Sequence, residues 1–389
     1  MNKKFLTLSV AALSLISLAS CDSTDDSIDV ALITDTGGIN DQSFNQYTYE
    51  GVKTYCNSKG LTYTAIEPGS ESTTTDRVNA MKQAVNNGAK CLVLPGYLHE
   101  EAVYEVQSLP EFENVNILLL DGEPHTADYS TYYTNSNVHN VLYKEQEAGY
   151  FAGYAAVAAG YRNLGFMGGM EIPSVQKYGF GYLVGAIDAA NDYDTEISFQ
   201  YDYAGTFSAD DKITTTTASW YDTGTEVVFS CGGGIYLSIL NAANNTANGK
   251  VIGVDVDQRS ASDRIITSAM KGLEASTIDA LGDLFDNVTA DQVASHDYDV
   301  AWSSAYGGTT ATVGAAEGMV GLPTDSASWD LGDWTVEEYD VIYAKVAADP
   351  DYTGISYDSV DGFDIDLSGR DTSCVTSISY GSEVSLKII

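Results

Sequence analysis

Short apolar runs alternate with amphipathic stretches along most of the chain. Residues 28–34 form a mainly apolar run that stops at Asp35 and leads through Gly37 and Gly38 into helical spacing. This predicts a buried strand, a tight loop and a helix, the opening unit of a doubly wound α/β domain. Phe44, Thr48, Gly51, Val52 and Tyr55 share one helix face, which should pack inward. Asn40 or Asp41 can cap the first turn by accepting backbone N–H groups. The pattern then recurs, with strands expected at 61–66, 91–94 and 115–120 and helices at 75–87 and 99–109.

A long helix is expected over 138–159, rich in small residues (Ala148, Gly149, Ala152, Gly153) that permit close packing. The alternation restarts behind it. Strands are expected at 164–167, 197–203, 226–230 and 251–256, and helices at 175–191, 210–221 and 235–245. Two such runs predict two Rossmann-like lobes. Expected boundaries are 28–134 plus 258–303 for lobe 1 and 135–257 plus 304–389 for lobe 2. Further strands are expected at 265–270 and 298–303, helices at 277–287 and 335–348, and strands with turns from 356 onward.

Composition narrows the partners. A formal charge of −37 over 389 residues repels nucleic acid and anionic lipid headgroups, so no nucleic-acid partner is expected. The first residues form an export signal: Lys3 and Lys4, an apolar stretch over 5–18, then Leu18-Ala19-Ser20-Cys21, which matches a lipoprotein cleavage site. The expectation is a signal peptide over 1–20, an acylated Cys21 and a polar tether to 27, anchoring the protein to the outer face of a cell membrane. Cys56, Cys91, Cys231 and Cys374 fit no metal spacing, and both disulfides and buried thiols stay open.

The candidate chemistry sits at strand ends. Asp35, Asp121 and Asp255 each close an apolar run, and Gly232 to Gly234 follow another. Acids at such tips point into a cleft, because a sheet interior does not tolerate an unpaired charge. They can serve a metal, acid–base catalysis or a hydroxyl-bearing ligand. The D-x-D at Asp255 and Asp257 is a weak metal pattern, since alternate strand residues face opposite sides. No nucleophile elbow, triad spacing, phosphate loop or dinucleotide fingerprint is present, so no cofactor and no metal is expected. Ligand binding is favoured by the neighbours of these acids. Phe44, Tyr178 and Phe207 can sandwich a flat ring, Asn45 can offer a donor and an acceptor, and Lys271 can donate to a hydroxyl.

Five blocks in order carry a family resemblance: TDTGGINDQSFNQ, GFMGGMEIPSVQKYGFGYLVG, SCGGGIY, VIGVDVDQ and ITSAMK. Together they resemble the basic membrane protein family, bacterial substrate-binding lipoproteins of ABC transporters that include purine-nucleoside receptors. The resemblance implies a type I periplasmic-binding-protein-like pair of lobes joined by a hinge of several segments, and a receptor that binds a nucleoside, a purine by preference, without chemistry and passes it to an ABC permease; a monomer is expected. It implies that Asp35 and Asn45 address the base and that Phe44 stacks on it. Tyr178 stands where the family more often has Phe. Asp121, Gly232, Asp255 and Lys271 would engage the ribose hydroxyls or nearby atoms. Asn40 and the Cys231-Gly232-Gly233-Gly234 loop depart from the family pattern. The alternatives are a receptor for a sugar or other small hydroxylated solute, and a surface hydrolase using the acids.

Overall fold

A computed structural model describes residues 28–358 and 362–385; the expected signal peptide and Cys21 lie outside them. The chain begins with β1 (Val30–Ile33), α1 (Phe44–Lys59), β2 (Tyr63–Ile66), α2 (Thr74–Asn86), β3 (Cys91–Pro95), α3 (Glu100–Val106), β4 (Asn116–Leu120) and β5 (Val138–Tyr143). These strands form a parallel sheet in the order 2-1-3-4-5. VALI, CLVLP and NILLL are buried at every position, as expected when helices cover both faces of a parallel sheet.

The chain then crosses into a second lobe that repeats the plan. It runs α4 (Glu145–Ala158), β6 (Asn163–Gly168), α5 (Pro173–Asp192), β7 (Ile197–Tyr203), α6 (Asp211–Asp222), β8 (Val227–Cys231), α7 (Tyr236–Asn244), β9 (Lys250–Asp255) and β10 (Ile265–Lys271). The strand order 7-6-8-9-10 is the same winding as in the first lobe. A second crossing leads to α8 (Leu273–Phe285), α9 (Ala290–Ser295) and β11 (Thr309–Val313), which extends the first sheet beside β5. A third returns to β12 (Val320–Gly321), antiparallel to β10, and to α10 (Val336–Ala348). The hairpin β13 (Ile355–Asp358) and β14 (Gly362–Ile365) follows, and β15 (Val375–Tyr380) pairs with β7.

The sheets divide the chain differently from the expected boundaries. The crossings fall near Lys144, Gly272 and Gly314, each later than expected. Both lobes own a fifth strand that the sequence reading gave away. Residues 138–143, expected as the start of a long helix, form β5 of the first sheet. Residues 265–271, expected in lobe 1, pair with β9 of the second. Residues 298–303, expected as a strand, form none; Tyr298 and Trp302 instead pack into the first core.

In the second lobe α4 and α5 meet backbone to backbone. A Cβ added to Gly149 or Gly153 would land on the carbonyl oxygens of Tyr178 and Tyr182. One added to Gly181 or Gly185 would land on those of Gln146 and Tyr150. Two small-xxx-small stripes therefore interlock and bring Glu145 and Tyr178, carried by these helices, to the foot of the cleft.

Candidate functional site

The two windings place their strand ends toward each other. In open α/β sheets the crevice beyond the carboxyl ends, where strand order reverses, is the usual ligand site. A cavity of about 170 Å³ lies there between the lobes. It takes Asp35, Phe44, Asn45 and Asp121 from the first lobe, and Tyr178, Gly232, Asp255 and Lys271 from the second. Every residue singled out for ligand binding thus reaches one hollow. Phe207 also lines it, from the loop after β7.

Asp35 leaves β1 into the loop before α1. Its Oδ1 accepts from the Gly37 N–H at 2.7 Å and from Asn45 Nδ2 at 2.8 Å. Burial pushes its carboxyl above the usual range, opposed by these two donors. Asp41 is the cap that the sequence offered: its carboxylate accepts from the N–H groups of Asn45 and Gln46, both at 3.1 Å.

Asn45 behaves differently from expectation. Its amide donates to Asp35 and, at 2.9 Å, to Asp41, while its oxygen accepts from the Asp35 N–H at 3.1 Å. Both amide protons are engaged, so Asn45 orients Asp35 instead of presenting a free donor edge.

Asp121 and Asp255 sit at the ends of β4 and β9 with matching left-handed backbones, φ +63° and +64°. Asp255 accepts from Ser43 Oγ of the other lobe at 3.1 Å and from the Tyr178 hydroxyl at 3.4 Å. Burial pushes its carboxyl up, while Lys271 and Ser43 hold it back. Tyr178 is 2 % exposed and stands edge-on to Phe229, so its hydroxyl, as well as its ring, has a task.

Lys271 is the only lysine or arginine on the cavity wall among the described residues. Its Nζ lies 2.9 Å from Asp121 Oδ2 and 3.0 Å from Glu145 Oε1. It also faces the rings of Phe44 (5.1 Å), Tyr143 (5.3 Å) and Tyr178 (5.6 Å), where cation–π attraction adds to the ion pairs. Burial alone would discharge it, but Asp121, Glu145 and Asp255 hold its pKa well above the usual lysine value. Glu145 is fully buried and bonds Lys177 Nζ at 3.1 Å with its other oxygen.

Sequence reading missed Glu145, Ser43 and Tyr97. A glutamate opening a helix reads as a dipole partner on the surface, and nothing local marks it as buried. Tyr97 lines the cavity and reaches across it to Met170 Sδ at 3.6 Å. It follows Pro95-Gly96 at a strand tip, the rule that found the aspartates. Cys56, Cys91, Cys231 and Cys374 are free buried thiols.

Gly232 has φ +153°, and a Cβ there would lie 2.9 Å from Phe207 Cδ1 and 3.0 Å from Gly169. Gly232→Ala should push Phe207 into the cavity and cost about 1–3 kcal/mol in overpacking and backbone strain. Denaturant unfolding of the variant checks this, and a stability equal to wild type contradicts the close approach.

Comparison with known proteins agrees with the geometry. The family model described as "ABC transporter substrate-binding protein PnrA-like" (Bmp) matches residues 28–346. The "ABC transporter nucleoside-binding protein BmpA" of Lactococcus lactis is 29% identical, over 89% of this chain and 99% of that one. Basic membrane protein B of Borreliella burgdorferi is 26% identical, over 79% and 86%. The crystal structure of an ABC transporter solute-binding protein from Aeropyrum pernix shares the fold, with a TM-score of 0.65 at 19% identity, covering 85% of this chain and 93% of that one. Two lobes closing around a cavity of strand-tip acids, and a match over most of the length, place this chain in the Bmp family of PnrA-like ABC transporter substrate-binding proteins.

Proposed function

We infer that the cavity binds a nucleoside, a purine by preference, and that the protein hands it unaltered to an ABC permease. The observation that carries this reading is the pairing of aromatic and acidic walls in one hollow. Phe44 and Phe207 come from opposite lobes and can enclose a flat base. Asp121 and Asp255 stand at the far strand ends, where a ribose diol can donate to them. Asp35, whose Oδ1 is held by Asn45, lines the cavity beside Gly96 and can accept from an amino or ring N–H. The BmpA relative carries nucleoside binding in its name. Closure of the lobes buries the guest and presents a closed surface to the permease.

Delivery at a membrane fits the acylated Cys21 expected from the sequence, and relatives named as lipoproteins and membrane proteins. No helix among the described residues is long and apolar enough to cross a membrane. The reading takes the protein as a single anchored chain.

Asp255→Asn is the direct test, because asparagine tolerates the left-handed backbone, keeps the shape, and removes the charge and one acceptor oxygen. Charge-assisted hydrogen bonds contribute about 1.5–3 kcal/mol. Calorimetric titration with adenosine should therefore show roughly ten- to a hundredfold weaker binding. Mass spectrometry of the small molecule released on denaturing the purified protein gives an independent answer. A sugar in place of a nucleoside selects the runner-up receptor, and turnover of the added nucleoside selects a hydrolase.

A further inference from the structure

The foot of the cleft holds more acids than bases. Asp121 at the end of β4, Glu145 at the start of α4 and Asp255 at the end of β9 surround the Lys271 ammonium. A second ammonium, Lys177 on α5, reaches Glu145. Three carboxylates against two ammonium groups leave one negative charge in excess among largely buried side chains. Such an excess is among the costliest states of a protein interior, and proton uptake relieves it.

We propose that Glu145 is a positioning residue acting through Lys271: it seats the ammonium beside Asp121 and makes the cleft take up one proton as it closes on its guest. The inference rests on the reading of the cleft as a closing nucleoside site. Glu145 itself does not line the cavity, and it stays with Lys177 and Lys271 in the second lobe. Asp121 arrives from the first. When the lobes meet, Asp121 comes to an ammonium that Glu145 already neutralises.

The electrostatics agree with this geometry. Burial first, then the charge of Glu145, pushes Asp121 up to about 7, although Lys271 opposes both. Against its own burial, Glu145 is held down to about 2 by Lys177 and Lys271. The two acids titrate together, so the proton belongs to the pair. The other titratable groups that face them, Tyr143, Tyr178 and the Cys231 thiol, are raised by burial and stay neutral. Asp255 is raised too, with Ser43 and Lys271 pulling down and Asp41 pushing up. The sign follows from linkage. A carboxyl in water titrates at about 4, and the pair in the cleft holds one proton up to about 7. Closure therefore binds a proton between these values, and affinity falls as pH rises through that window.

The experiment is calorimetric titration of the full protein with adenosine at pH 6, in cacodylate and in Bis-Tris, whose ionisation heats differ. Wild type should show buffer-dependent heats corresponding to most of one proton taken up. Glu145→Gln should bind adenosine several-fold more weakly and lose the buffer dependence. Equal proton uptake in both proteins overturns the role of Glu145, and buffer-independent heats in wild type overturn the proton itself. Glu145 acting only as structural filler would lower stability and leave the proton count unchanged. If Glu145→Gln does not fold, Asp121→Asn removes the proton's seat while keeping the shape, and should likewise abolish uptake. If adenosine gives no heat at all, it is the nucleoside reading that fails. The titration is then repeated with ribose, the guest of the runner-up reading, and proton uptake that Glu145→Gln leaves unchanged overturns the proposal.

Discussion

Replacing Lys271 by methionine should destabilise the protein by about 3–5 kcal/mol at pH 8, the range for leaving a buried ion pair without one partner. Methionine matches the length and apolar body of lysine, so packing against Phe44, Tyr143 and Tyr178 largely survives. What disappears is the charge that Asp121 at 2.9 Å and Glu145 at 3.0 Å both use. The carboxylates then confront each other in a site with little water. Because protonation relieves that repulsion, the deficit should shrink when denaturation is repeated at pH 5. A deficit of the same size at both pH values would trace the loss to packing and not to charge. The variant should also bind adenosine more weakly, since the bridge between Asp121 and Lys271 joins the lobes.

Gly153→Ala should have the second largest effect, although it adds a single methyl group. In an exposed helix this exchange stabilises, because glycine is the poorer helix former. Here the new Cβ falls on the Tyr182 carbonyl oxygen, a backbone atom that cannot rotate away. The α4–α5 pair has to separate, and the cost should reach the top of the roughly 1–3 kcal/mol range for overpacking, or pass it. The same exchange at Gly282 on α8 provides the contrast. Its nearest neighbour is a carboxylate oxygen of Asp286 at 3.4 Å, an ordinary contact. Gly282→Ala should therefore gain about 0.4–1 kcal/mol. Urea unfolding of the two variants beside wild type checks both signs. Separation of α4 from α5 also displaces Glu145 and Tyr178, so Gly153→Ala should weaken adenosine binding with no contact to the guest.

Much of this was legible in the chain, and for identifiable reasons. Strand tips betray themselves when an apolar run stops at an acid, and that rule found Asp35, Asp121 and Asp255. Glycines found the turn at Gly232. The fifth strands were harder. VHNVLY is buried at nearly every position, so it shows no alternation, and its apolar spacing also fits a helix that continues into α4. Partners of partners were beyond reach. That both Asn45 amide protons would be engaged, or that Glu145 would be buried, depends on residues 10 to 126 positions away in the chain. Local pattern carries no record of such distances.

The three crossings near Lys144, Gly272 and Gly314 bear on how the chain is made. The first sheet is not complete until β11 emerges, and the second waits for β12 and β15. A ribosome thus releases most of the polypeptide before either half can finish its own core. Cutting the gene at any one point should yield no autonomous folding unit, and fragments would recover structure only when mixed.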